Sequence, residues 1–146
     1  MRTIDRLVIH CTATQEGRNY NVDTIRSWHM GDRGFSDIGY HFLIHLDGTV
    51  ERGRPWDIPG AHAQGYNRTS IGVAYVGGVD KNGPKDTRTD EQKIALRAVV
   101  GIIKAMFPMI EVCGHRDLSV DLNGDNVISP IEWMKACPSF DVKTEL

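Results

Sequence analysis

The sequence has no long hydrophobic run, few cysteines and almost no net charge, and each of these absences excludes a class of protein. No stretch of the 146 residues approaches the ~18 consecutive apolar residues that a membrane-spanning helix requires. The formal net charge of −2 gives no electrostatic reason to expect nucleic acid or an anionic membrane as a partner. Cys11, Cys113 and Cys137 form too small and too odd a set for a disulfide framework. We therefore expect reduced thiols, which can bind a metal.

The N-terminal segment lacks the longer apolar region and the small-residue cleavage site that a signal peptide would have. Met1 to Asp5 leads directly into the apolar segment Leu7-Val8-Ile9. We therefore expect a protein that is made in the cytoplasm without a signal peptide. The length fits one domain, residues 1–146, and suffices to bury roughly 68–70% of the surface of the unfolded chain.

Hydrophobic periodicity predicts strands separated by helices. Strands are predicted at residues 6–11, 40–46, 71–76 and 110–113, and Asp47-Gly48 is typical of a hairpin turn. One helix is predicted from Asn21 to about His29, and Thr89 with Gln92 forms a capping box for another. The second helix is expected to bury the stripe formed by Ala95, Val99, Ile102 and Met106. This order predicts a single α/β domain whose central mixed β-sheet is flanked by helices.

Two histidines follow predicted strands, at the edge where open α/β sheets place their sites. His10 lies at the end of the first strand, and His115 lies just after the last. A catalytic zinc usually has three protein ligands and one open position. No compact ligand motif is present, so the spacing of residues alone does not identify the ligands.

Five segments, in order, resemble the signatures of the type-2 N-acetylmuramoyl-L-alanine amidases. This family includes the lysozyme-like amidases of bacteriophages and is related to the animal peptidoglycan recognition proteins. The segments are residues 9–14, 38–44, 60–73, 114–119 and 135–141. Together they extend over nearly the whole chain, and five ordered motifs are far more specific than any one of them.

The resemblance implies that the zinc ligands are His10, His115 and Cys137. Two neutral imidazoles and a thiolate would leave a net charge of about +1 on the site, enough to acidify a bound water. A structural zinc would normally have a fourth protein ligand, and the motifs supply none. The resemblance also places Tyr40 and Lys135 beside the metal as catalytic residues. The alternatives are that Tyr40 packs on a strand face with Phe42, Ile44 and Leu46 and that Lys135 is a solvated lysine.

Substrate contacts are expected in the long loop between residues 54 and 70. His62 matches a position near the substrate in the family, and it would either contact the peptide or sugar or fix the loop. Asn67 and Arg68 are further candidates for binding the stem peptide. His29, His41 and His45 are better explained as structural histidines.

The segment between His115 and Cys137 contains an insertion that is similar to an EF-hand calcium loop at residues 121–132. Oxygen-bearing side chains occur at loop positions 1, 3, 5, 9 and 12, and position 7 would offer its backbone carbonyl. These predicted calcium ligands are Asp121, Asn123, Asp125, Val127, Ser129 and Glu132. Asn126 replaces the usual glycine at position 6, but asparagine enters the left-handed region readily. A polar turn followed by a helix capped by Ser129 is the alternative.

The function that the resemblance implies is zinc-dependent hydrolysis of the amide between N-acetylmuramic acid and L-alanine in peptidoglycan. Such an enzyme would serve phage- or prophage-type lysis and would act on the cell wall after release or export. Peptidoglycan is the expected partner, and a monomer is the expected state. The main alternative is a peptidoglycan-binding recognition module without hydrolytic activity, which the presence of Cys137 disfavours. A regulatory protein that inhibits a partner is a second alternative, which nothing in the sequence supports.

Overall fold

The computed structural model describes all residues from 1 to 146, and its secondary structure follows the predicted order. The strands are β1 (Arg6–Cys11), β2 (Thr14–Gln15), β3 (Phe42–Ile44), β4 (Val50–Arg52), β5 (Ser70–Tyr75), β6 (Gly78–Asp80), β7 (Gly83–Pro84) and β8 (Glu111–Gly114). The helices are α1 (Val22–Gly31), α2 (Asp90–Met106) and α3 (Val142–Glu145), with short 3₁₀ turns at Asn67–Thr69, His115–Leu118 and Pro130–Glu132. None of the helices combines the length and the apolar character that crossing a membrane would require.

The main sheet has five strands in the order β4-β3-β5-β1-β8. Strands β3, β5, β1 and β8 run parallel, and only the edge strand β4 is antiparallel to its neighbour. A small second sheet joins β2, β6 and β7. The predicted α/β class with a mixed sheet and flanking helices is therefore confirmed.

Alternation along β1 assigns its side chains to opposite faces of the sheet. Leu7, Ile9 and Cys11 belong to the larger core cluster, which also contains the buried apolar residues of α2 and α3. Val8 lies on the other face, against Ala63 of the long loop. Because side chains alternate along a strand, His10 lies on the same face as Val8 and is directed toward that loop.

The predicted buried stripe of α2 is confirmed at Ala95 and Val99, which pack against the larger core cluster, and wrong at Ile102 and Met106. The side chains that α2 buries are Gln92, Leu96, Val100 and Ile103, whereas Ile102 is 62% and Met106 54% exposed. Apolar residues form two adjacent stripes on α2, and one buried polar residue determines which stripe faces the core. The Gln92 side-chain amide donates to the carbonyl of Val76 at 2.9 Å and to that of Ile44 at 3.3 Å, which fixes the rotation of the helix.

The strand predicted at residues 40–46 is shorter in the structure, where β3 includes only Phe42–Ile44. Phe42 and Ile44 pack with the larger core cluster, whereas Tyr40 and Leu46 pack on the cluster that contains α1. The alternative in which these four residues share one strand face is therefore wrong. Tyr40 lies before the strand begins, and its side chain is free to turn toward β1.

Candidate metal centre and active site

His10, His115 and Cys137 come together although they lie far apart in the sequence. Their ligand atoms all lie within 4.8 Å of one another. His10 lies near the end of β1, and His115 begins the 3₁₀ turn that follows β8. Cys137 belongs to the C-terminal segment, and its backbone carbonyl accepts a hydrogen bond from the Arg116 amide at 2.8 Å. The centre thus forms where the carboxyl ends of the neighbouring parallel strands β1 and β8 meet the C-terminal segment.

The donor atoms suit a tetrahedral zinc ion. Cys137 Sγ lies 3.7 Å from His10 Nδ1, and a zinc with ordinary Zn–S and Zn–N bonds would separate such atoms by roughly 3.6 Å. Burial lowers the pKa of His10, and burial followed by the charge of Lys135 lowers the pKa of His115 to about 4. Both imidazoles are therefore neutral near pH 7, as metal ligands must be.

The thiol of Cys137 needs a cation to become a thiolate. Its pKa is raised by the hydrogen bond with the Cys11 side chain and by burial. The backbone amide of Cys11 donates to Cys137 Sγ at 3.2 Å, which would stabilise a thiolate once a metal balances its charge. All three cysteines are free, and Cys11 and Cys113 are buried.

Tyr40 and Lys135, predicted as catalytic, both lie beside the three ligands. The Tyr40 ring centroid is 5.2 Å from that of His10, and its hydroxyl lies 3.5 Å from the Cys11 carbonyl. Burial raises the pKa of Tyr40, so the hydroxyl keeps its proton and can donate it in a hydrogen bond. Lys135 is exposed and lines the same cavity of about 90 Å³ as the three ligands. A hydrogen-bond donor and a cation thus flank the centre.

The three residues predicted to bind substrate occupy different places. His62 is buried, and its Nδ1 lies 2.8 Å from His10 Nε2. Asn67 accepts hydrogen bonds from the backbone amides of His62 and Ala63 through its side-chain oxygen, both at 2.9 Å. Arg68 is exposed. His62 and Asn67 also line the cavity next to the centre, and their contact with substrate stays a prediction.

A residue that the sequence reasoning missed is Arg33, which lies in the loop after α1. It lines the metal cavity and both neighbouring cavities, of about 280 and 360 Å³. These three adjoining spaces form a groove across the centre, with Lys135 at one side and Tyr40 at the other. Arg33 stands in a polar loop without periodicity, so no pattern of the sequence alone pointed to it.

The three histidines that were predicted to be structural all make contacts at hydrogen-bond distance within the fold. His29 Nδ1 accepts the backbone amide of Gly39 at 2.8 Å, and His41 Nδ1 accepts that of Gly72 at 2.9 Å. His45 Nε2 lies 2.8 Å from a Glu51 carboxylate oxygen. None of the three rings belongs to the ligand set.

The insertion at residues 121–132 forms a closed loop. The two carboxylate oxygens of Asp121 accept the amides of Gly124 and Asn126, and Glu132 accepts the amides of Leu122 and Ser129. Asn126 has a φ of 65°, the left-handed conformation that was expected at this position. The helix of the alternative interpretation is only the short 3₁₀ turn Pro130–Glu132, although its capping box is present. The loop leads directly to the segment that carries Lys135 and Cys137.

The fold and the site together define a mixed-sheet α/β domain with one His-His-Cys centre at the carboxyl edge of its parallel strands. The family model described as N-acetylmuramoyl-L-alanine amidase matches residues 1–139. The chain is 40% identical over 140 residues to the endolysin of Escherichia phage T7, which covers 95% of this chain and 83% of the relative. The chain belongs to the N-acetylmuramoyl-L-alanine amidase family.

Two solved structures extend the comparison. The N-acetylmuramoyl-L-alanine amidase LysC from Clostridium intestinale superposes with a TM-score of 0.75 at 26% identity, over 99% of this chain and 80% of that one. The ectodomain complex of peptidoglycan recognition proteins LCa and LCx, solved with tracheal cytotoxin, matches with a TM-score of 0.68 at 32% identity. That match covers 88% of this chain and 80% of the other. The fold is therefore shared by amidases and by recognition proteins.

Proposed function

We propose that this protein is a zinc-dependent amidase that hydrolyses the bond between N-acetylmuramic acid and L-alanine of peptidoglycan. The observation that carries the proposal is the convergence of His10, His115 and Cys137, with three ligand atoms and no fourth protein ligand. A closed structural zinc would normally have four protein ligands, whereas a catalytic one keeps a position open. The family membership and the phage endolysin relatives support the same reaction.

The side chains around the centre divide the tasks of amide hydrolysis. When bound, zinc would lower the pKa of a water toward ~7 and polarise the amide carbonyl. The protonated Tyr40 hydroxyl donates a hydrogen bond to the carbonyl oxygen as negative charge develops there. The ammonium group of Lys135 stabilises the same charge or supplies the proton that the departing amine requires. Arg33, at the junction of the three cavities, is placed to attract the carboxylates of a stem peptide.

Peptidoglycan is the proposed partner, and lysis of the cell wall during release of phage is the proposed setting. The relatives named endolysin support this setting, and the recognition-protein complex with tracheal cytotoxin supports a peptidoglycan ligand for the groove. Recognition proteins share the fold, so a binding module without hydrolysis is the second candidate. The intact His-His-Cys set, with Tyr40 and Lys135 beside it, favours the enzyme.

Digestion of purified peptidoglycan by zinc-loaded protein, with mass analysis of the products, tests the proposal. We expect free peptides that begin with L-alanine and glycan strands that stay uncut. Intact material that nevertheless sediments with the protein would favour the recognition module. Cleavage only between sugars would contradict both candidates.

We further propose that the loop at residues 121–132 binds calcium and orders the segment that carries Lys135 and Cys137. The oxygen-bearing positions and the left-handed conformation of Asn126 support it. Calorimetric titration of metal-stripped protein with calcium should show a heat of binding. Saturating calcium should also raise the melting temperature of the protein by several degrees. The variant Asp121→Ala should lose both effects, whereas Asp5→Asn, which alters an exposed acid elsewhere, should keep them. Wild-type protein that shows no heat and no change in melting temperature would contradict the proposal.

A further inference from the structure

We propose that His62 is a positioning residue, which holds the ring of His10 so that its Nδ1 atom faces the metal. The inference deepens the proposed function, because it concerns how one zinc ligand is oriented. The structure shows the contact directly: His10 Nε2 lies 2.8 Å from His62 Nδ1, and both side chains are buried. The two rings stand edge to face, with an interplanar angle of 90°.

The proton positions follow from which atom faces which partner. His10 Nδ1 is directed toward Cys137 Sγ, so it must offer a lone pair to bind a metal there. The proton of the neutral His10 ring then lies on Nε2, which donates to His62 Nδ1. His62 in turn carries its proton on Nε2 and donates to Ser70 Oγ, which lies 3.3 Å away. A neutral imidazole supplies one donor and one acceptor, so each contact along this chain fixes the proton position of the next ring.

The fold fixes the His62 ring from two sides. A Cβ atom placed on Gly72 or on Gly60 would lie 2.6 Å from Cδ2 of His62, closer than real contacts allow. Only glycine at these two positions leaves room for the ring where it is. The side chain of Asn67 meanwhile accepts the amides of His62 and Ala63, which fixes the backbone beneath the ring. The His62 ring therefore has little conformational freedom, and its hydrogen bond with His10 can fix the orientation of the His10 ring.

This arrangement matches what a metal-binding histidine requires of its neighbours. Such a ligand almost always donates its other ring nitrogen to a fixed acceptor, and loss of that acceptor typically costs 10–100-fold in metal affinity. A carboxylate or a backbone carbonyl is the usual acceptor. Here the acceptor is a second neutral histidine, which accepts at Nδ1 only when it donates at Nε2. Ser70, at the start of β5, is thus the end of a three-residue chain that sets the tautomer of His10.

The substitutions His62→Phe and His62→Asn separate hydrogen bonding from packing. Phenylalanine keeps a ring in the cavity between the glycines but offers no acceptor, whereas asparagine places an oxygen near the position of Nδ1. Zinc affinity is measured by competition with a chromophoric chelator, and melting of the metal-free proteins checks that each variant folds. We expect 10–100-fold weaker zinc binding for His62→Phe and a loss of less than about threefold for His62→Asn. Unchanged affinity in His62→Phe, or equal losses in both variants, would overturn the inference.

A spectroscopic measurement tests the proton positions without any substitution. Imidazole nitrogen NMR of the zinc-loaded wild-type protein should show the His10 proton on Nε2. A proton on Nδ1 would overturn the inference. Neither measurement uses substrate. Protein that binds zinc as expected but leaves peptidoglycan uncut would refute the proposed amidase and leave the role of His62 supported.

Discussion

The substitution Cys137→Ser is expected to lower amidase activity on purified peptidoglycan by at least about a thousandfold. A serine hydroxyl does not ionise near neutral pH and is a poor zinc ligand, so the centre would keep only His10 and His115. The same variant should release zinc to a chelator that leaves the wild-type protein loaded. The measurement is product formation by mass analysis, beside the zinc content of each protein.

The matched control for this substitution is Cys113→Ala. Cys113 is also a free thiol, but it is buried with Val8 and Ala63 and lies outside the ligand set. We expect this variant to bind zinc and to cut peptidoglycan at close to the wild-type rate, with a small loss of stability. If Cys137→Ser keeps more than about a tenth of the activity, the assigned ligand set is wrong.

The substitution Tyr40→Phe is expected to lower kcat by about 10²–10³-fold without weakening zinc binding. Phenylalanine keeps the ring that packs beside His10 and removes only the hydroxyl. Because that hydroxyl is proposed to act on the charge that develops in the transition state, kcat should fall while KM changes little. Turnover is measured on a soluble muropeptide over a range of concentrations, with zinc content determined on the same samples.

Tyr20→Phe is the control for Tyr40→Phe. Tyr20 lies against Trp28 at the edge of the same core cluster, so the substitution removes a hydroxyl away from the centre. We expect its kinetics to match those of the wild type. A value of kcat for Tyr40→Phe within about threefold of the wild type would mean that Tyr40 serves only in packing.

The ligand set was predicted through resemblance, and only the placement of the two histidines at strand ends had a physical reason in the sequence. His10 and His115 each follow a buried strand, and the carboxyl ends of parallel neighbouring strands meet at one edge. Cys137 approaches that edge from a segment without regular structure, and no local sequence pattern predicts such a long-range contact. The five family motifs supplied what periodicity could not.

Other differences arise where several residues compete for one role. In α2 the sequence offered two apolar stripes, and the buried amide of Gln92 decided between them through hydrogen bonds that a sequence does not show. His62 was expected to face the substrate or to fix its loop. Its position against His10 depends on the close approach of Gly60 in the loop and Gly72 in β5. Tertiary contacts of this kind determine the details of the site.

The arrangement of the ligands also has a consequence for chain entropy. His10 and Cys137 stand 127 residues apart in the sequence, so a metal that joins them closes a loop of nearly the whole protein. For a covalent cross-link, a loop of about 100 residues reduces the entropy of the unfolded chain enough to stabilise the fold by roughly 4–5 kcal/mol. A zinc ion bound here would therefore act as a cross-link between the two ends of the chain. Its departure would remove this link, and the two ends would then be held together only by the hydrogen bonds and core contacts of the C-terminal segment.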